Sequence, residues 1–286
     1  MRRGYRWLGI ASKPSDCPLK MSRRHYHQHH HVCDKPSPPH HLAHTTNTTT
    51  GQQPNHFLLL LSDSALPLGS FAFSSGLESY LAHEGRSASF AAFLPESITS
   101  YASTALPFVL AAHRDPSAAA ELDDLFDATM ICTVGRRASV AQGRALLSIW
   151  ERAFAGSVDG AATKVLKPFA ALMRTPVATG ELPVVSAHLA PLFGAVASLV
   201  GLTLRQTAYV FMLSHVKALI SAAVRASVFG PYQAQKTLAS SHVQAMIVAV
   251  IDREWETPVE KAGQTVPIMD LWIGRHEVLY SRIFNS

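Results

Sequence analysis

The pattern of apolar and polar positions divides the chain into two unlike stretches. From Phe57 onward apolar residues recur at helical spacing, Ala and Leu dominate, and alternating β-branched runs are scarce. Upstream of Phe57 no such periodicity exists. The pattern predicts helices over 75–83, 87–111, 117–131, 134–154, 162–173, 187–200, 203–229 and 232–254. Pro95 and Pro107 interrupt the second of these, and Pro183, Pro231 and Pro258 punctuate helix ends. Ser75 with Glu78, and Thr203 with Gln206, have the spacing of capping boxes. The stretch 155–181, rich in Gly, Ala and Thr, reads as the loosest internal region. No fixed-period repeat is present. The expected architecture is all-α: one domain of packed helices over 57–286, preceded by a leader over 1–56.

The predicted helix 203–229 carries Thr207, Ser214, Lys217, Ser221 and Arg225. At about 100° per residue they fall within an arc of roughly 80°. The remaining circumference is nearly all apolar, which predicts a helix buried on most sides with one narrow polar stripe. Residues 183–204 contain no Asp, Glu, Lys or Arg. About 20 such residues can cross a bilayer, so a small helical membrane protein using residues 183–229 is an alternative reading. Pro183, His188, Pro191, Gly194 and Gly201, with the capped amphipathic neighbours, favour a buried central helix instead.

Charge changes this picture in one respect. The chain holds 25 Lys plus Arg against 20 Asp plus Glu, a net of +5. Eight of those basic residues and two of the acidic ones lie in 1–56, which therefore carries +6. The remaining 17 basic and 18 acidic side chains leave the helical part at −1. A basic protein that binds nucleic acid is thus not indicated for the folded part. The leader contains Pro14, Pro18, Pro36, Pro38, Pro39, Pro54 and the run TTNTTTG. Too few apolar residues are there to offset the entropy of ordering, which predicts a disordered extension. Its first residues are Arg-rich and acid-poor, in the manner of a transit peptide, but they run on into a His/Pro/Thr-rich tract; no secretory h-region is present. Charged residues make up 16% of the chain, against an average of about 25%. Such a shortage implies a large core or a surface that a partner covers. Three Cys, of which only Cys132 lies beyond the leader, do not indicate a disulfide framework and point to a reducing compartment such as the cytoplasm.

Candidate chemistry is sparse. P-loop, HExxH, GxGxxG, GxSxG and paired CxxC motifs are missing. Ser214 and Lys217 have the spacing of a Ser–Lys hydrolase. Lys236-Thr237 is followed by Leu238 where such enzymes need Gly, and the polar stripe accounts for both residues. In the leader, His25, His27, His29, His30 and His31, with Cys33, form a loose tract for nickel, copper or zinc without fixed geometry. His188, His215, His242 and His276 are isolated and read as packed or surface histidines. The C-terminus keeps Trp272, Tyr280, Ile283 and Phe284 up to its last residues. Termini fray unless tied down, so this one is expected to dock into a groove of this chain or of a partner.

Four segments in order resemble the urease accessory protein UreF family, in its eukaryotic, fungal-type form. They are LLLLSDSALPLGSFAFSSGLESYL (58–81), GRRASVAQGRALLSIW (135–150), the run from His188 to Leu238, and RHEVLYSRIFNS (275–286). Ser70 stands where many relatives have a second Gly; 155–181 looks like an insertion, and the His-rich leader is not a general family feature. The resemblance implies an all-α, non-enzymatic and dimeric adaptor. Its partners would be the accessory protein UreD (also called UreH), the GTPase UreG and apo-urease, with nickel handled by the complex and no cofactor bound firmly. By the same analogy Glu78, Arg225 and Gln233 would face UreG, and Arg144 or Arg225 would be placed to act on phosphate charge. Arg275, His276, Arg282 and Phe284 would anchor the tail against UreD.

Overall fold

Two helices form the middle of the molecule because their sequences are apolar on nearly every side. The structure is a computed structural model that describes residues 54–176 and 183–285. The expected disordered leader and its histidine tract thus lie outside the described residues, apart from the few positions from Pro54 on. In chain order the helices are α1 (Pro54–Ser62), α2 (Leu77–Glu84), α3 (Phe90–Arg114), α4 (Ala119–Thr129), α5 (Thr133–Ile149), α6 (Ala162–Val165), α7 (Lys167–Arg174), α8 (Leu189–Leu199), α9 (Leu204–Arg225), α10 (Pro231–Leu238), α11 (Ser241–Glu254) and α12 (Ile268–Gly274). Among the described residues there is no strand, so the fold is all-α as expected. The long α3 packs against α8 and α9; α5 packs on α8, and α11 packs against both α3 and α9.

Several helix bounds follow from local chemistry. Thr203 accepts from the Gln206 backbone N–H at 3.2 Å, and the Gln206 side chain reaches back to the Thr203 N–H at 2.9 Å, completing the expected capping box. Ser240 caps α11, which breaks the predicted 232–254 helix in two. Pro191 sits in the first turn of α8, where a backbone N–H would have no helical partner. Pro107 has a different consequence. A mid-helix proline lacks the N–H that would bond the carbonyl four residues back. That carbonyl, on Ser103, instead accepts the Gly263 N–H at 3.1 Å, and Thr265 donates to the Ser103 hydroxyl at 2.9 Å. Helix α3 runs on through Pro95 and Pro107 rather than being interrupted there, and the carbonyl freed by Pro107 fastens the segment leading into α12.

The second capping box does not form. Ser75 has φ 50° and Gly76 φ 86°, so the chain turns through two left-handed residues and α2 starts only at Leu77. The Glu78 carboxylate is occupied elsewhere, as described below. Close approach also sets backbone positions. A Cβ on Gly143 would overlap the Ala187 carbonyl, and one on Gly194 the Val109 carbonyl, so α5 meets the turn before α8, and α8 meets α3, backbone to backbone.

The membrane alternative meets this geometry at two points. Helix α8 has 11 residues, about 16 Å at 1.5 Å per residue, roughly half of what a span requires. Helix α9 is long and apolar enough by length and composition, yet most of its apolar window is packed inside the bundle.

Candidate functional site

The C-terminal tail is held by the body of its own chain. Glu78, in the first turn of α2, is nearly buried. Its Oε1 accepts the Ile283 N–H at 2.5 Å. Its Oε2 accepts the Phe284 N–H at 3.2 Å and faces His276 Nε2 at 3.1 Å. Such charge-assisted bonds to an ionised acceptor are the stronger kind. Asn285 N–H donates to the Ala72 carbonyl at 2.7 Å, extending the attachment to the loop before α2. Phe284 is 4% exposed, and the Arg225 guanidinium stands 4.3 Å above its ring centre. Arg225 also donates to the Phe71 carbonyl. Partial burial lowers the pKa of Arg225 from its ordinary value. His276 is buried, and among the described residues its Nδ1 has no hydrogen-bond partner.

Three residues of the α9 polar stripe, Thr207, Lys217 and Arg225, bond to the body of the chain. Lys217 Nζ donates to the Ser62 carbonyl at 2.5 Å and ties down the end of α1. Thr207 bonds back to the Thr203 carbonyl at 3.0 Å. Arg225 holds the 71–73 loop and the tail. The amine that a Ser–Lys mechanism would need is therefore bonded to a backbone carbonyl, and Ser214 makes no hydrogen bond with it.

Of the residues singled out by the sequence, Glu78, Arg225, His276 and Phe284 meet in one cluster. The two groups assigned by analogy to different partners are thus joined at this point. Gln233 is exposed on α10 beside Tyr232, which is 92% exposed. Arg275 is exposed near the Trp272 ring. Arg282 is exposed and lies 3.5 Å from Glu277, which Arg137 also engages. The Arg137 contact is the main reason that the Glu277 carboxyl is held below its usual range. Arg144 is exposed, with Nε 3.4 Å from the Ser186 carbonyl. Around these groups Val278, Tyr280, Ile283 and Leu271 stand out into solvent.

Sequence reasoning missed a second buried polar cluster. Asp123, fully buried on α4, accepts the N–H groups of Ser186 (2.6 Å), Ala187 (3.0 Å) and His188 (2.6 Å). It holds Ala187 at φ 67°, a left-handed position that a non-glycine residue occupies only under constraint. One turn on, Asp127 pairs with Arg136 at 2.5 Å and with His188 Nε2 at 2.8 Å. The Arg136 bond is the largest cause of Asp127's lowered pKa. The one available signal was the i, i+4 spacing of two carboxylates on α4; their partners lie on other elements. Among the described residues no group of three or more His, Cys, Asp or Glu could hold a metal ion.

The geometry is that of an all-helical protein that presents an ordered C-terminal segment on its surface. Comparison with known proteins narrows this class. The sequence model of the UreF family matches residues 85–242. A UreF-like urease accessory protein of Schizosaccharomyces pombe is 40% identical over 233 residues, covering 80% of this chain and 95% of its own length. Urease accessory protein F of Oryza sativa is 32% identical over 232 residues, covering 78% of this chain and 82% of its own. Urease accessory protein UreF of Paenarthrobacter aurescens is 28% identical over 231 residues, covering 79% and 95%. The chain belongs to the UreF family of urease accessory proteins.

Proposed function

We propose that this protein is a non-enzymatic, cytoplasmic adaptor in urease maturation. It binds a UreD (UreH)-type protein and a UreG-type GTPase on apo-urease and supports GTP-dependent insertion of nickel, acting as a homodimer within the complex. Nickel is cargo of the assembly, and this subunit holds no cofactor firmly; the leader over 1–56 contributes at most a loose histidine tract. The observation that carries the reading is the tail. Its anchoring groups are spent on the body, while Arg275, Val278, Tyr280, Arg282 and Ile283 remain exposed around them. An apolar ridge with a cationic rim, held in place beforehand, limits the ordering cost of binding a partner. Stabilising transfer-competent partner conformations would then act by mass action.

Co-expression with the UreD-type protein of the same organism should give a soluble stoichiometric complex. Deleting residues 276–286 should weaken it. Equal binding by the truncated protein would sink the assignment of the tail. Failure of the full chain to restore urease activation in a strain lacking this subunit would sink the adaptor reading itself.

A further inference from the structure

A cavity of about 360 Å³ lies between α3, α5, α8 and α9, closed on one side by the 68–75 loop and on another by the 262–273 segment. That is within the range of small-molecule pockets, about 300–1,000 Å³. Thr129 and Ile131 are exposed and stand at its rim. Phe126, Leu189, Phe193 and Phe211 supply apolar walls.

The polar groups of the wall fall into two kinds. Most are satisfied by the protein itself. Ser97 Oγ meets His215 Nε2 at 3.0 Å, Ser70 donates to Gln142 at 2.8 Å, and Ser139 Oγ lies 3.1 Å from His188. The hydroxyls of Ser75, Ser100, Tyr101 and Ser214 differ: all four residues line the cavity, and among the described residues none of these hydroxyls has a hydrogen-bond partner. The Tyr101 ring stacks with Phe211 and His215, with centroids 5.1 and 4.1 Å away and interplanar angles of 14° and 13°. Hydroxyls open to the cavity and not engaged by the protein are free to donate to or accept from a guest.

The wall also specifies charge. Among the described residues no Lys, Arg or Glu lines the cavity, and its carboxylate, Asp270, accepts from Gln264 at 3.0 Å. Burial keeps the Tyr101 phenol protonated and pulls His215 down to about 3, so that imidazole is neutral. A charged guest would lose its hydration without gaining a counter-ion. The geometry points to a binding site for a small neutral molecule, an apolar frame bearing a hydrogen-bonding group, with Tyr101, whose ring is held by stacking, and Ser214 among the residues that determine specificity. This site is separate from the tail cluster and does not depend on the adaptor reading.

The test uses three probes of one shape and different charge: benzamide, benzoate and benzamidinium, added to the full chain and followed by saturation-transfer NMR. Benzamide should bind saturably, and both ions at least about tenfold more weakly. Tyr101→Phe, which keeps the ring stack, should weaken benzamide about tenfold, the size of one lost hydrogen bond. Ser214→Phe from α9 and Ala138→Phe from α5 each fill the cavity and should abolish binding, with helical circular dichroism retained. The proposal is overturned if benzamide shows no saturable binding, if the ions bind as well as the amide, or if Tyr101→Phe and whichever filling variant folds leave its affinity unchanged.

Discussion

Glu78 shows how one side chain can acquire a role unrelated to its neighbours in sequence. Its carboxylate takes two backbone N–H groups and one imidazole from the last eleven residues of the chain. Glu78→Gln keeps the shape but loses the charge that strengthens those bonds. It is expected to cost about 1–2 kcal/mol in urea unfolding and to remove hydrogen-exchange protection from the Ile283 and Phe284 amides; retained protection there would contradict the anchoring role. His215 makes a second prediction at this scale. Burial lowers its folded pKa to about 3 from an ordinary 6.5. The unfolded chain therefore takes up this proton first as the pH falls. The associated stability is complete above about 6.5 and is lost progressively toward about 3. His215→Phe should flatten the stability–pH curve in that window, by up to about 1.4 kcal/mol per pH unit. Chemical denaturation at several pH values measures it.

Between elements, backbone contact decides which substitutions matter. Gly194 and Gly143 lie where α8 meets α3 and where α5 meets the 186–188 turn, each against a carbonyl that cannot swing aside. Gly194→Ala and Gly143→Ala should each destabilise by about 3 kcal/mol. A methyl group on Gly156 would meet nothing within 4 Å, and Gly156→Ala should stay within about 0.5 kcal/mol. Melting temperatures of the three variants separate the cases. Elements were also where the sequence was most legible. The Thr203 capping box, the central burial of α8 and α9, and the polar arc of α9 all follow from residues within a few turns of one another. The split between α10 and α11 at Ser240 was less plain, because the apolar spacing runs through it.

At the scale of the whole molecule, charge is segregated along the chain, +6 in residues 1–56 against −1 in the remainder. The histidines follow the same division, nine of fifteen lying in that leader. Because the described residues contain no cluster of three or more metal-ligating side chains, removing residues 1–50 should lower nickel affinity at least about tenfold. Equilibrium dialysis against nickel would show this, and unchanged affinity would move the metal site into the helical body.

Ser75 with Glu78 and Thr203 with Gln206 have the same spacing, and only the second pair caps a helix. The sequence by itself determined what depends on neighbours in the chain: helical periodicity, helix starts, the apolar character of α8 and α9, and family membership through ordered motifs. Tertiary structure alone decided what depends on distant partners. Ile283 reaches Glu78 across 205 positions, Gly263 takes the carbonyl freed by Pro107, and Asp123 holds the turn at Ala187. The physical reason is that a buried polar group must be satisfied by whatever donor the packed chain brings within hydrogen-bond reach, and local spacing does not encode which donor arrives.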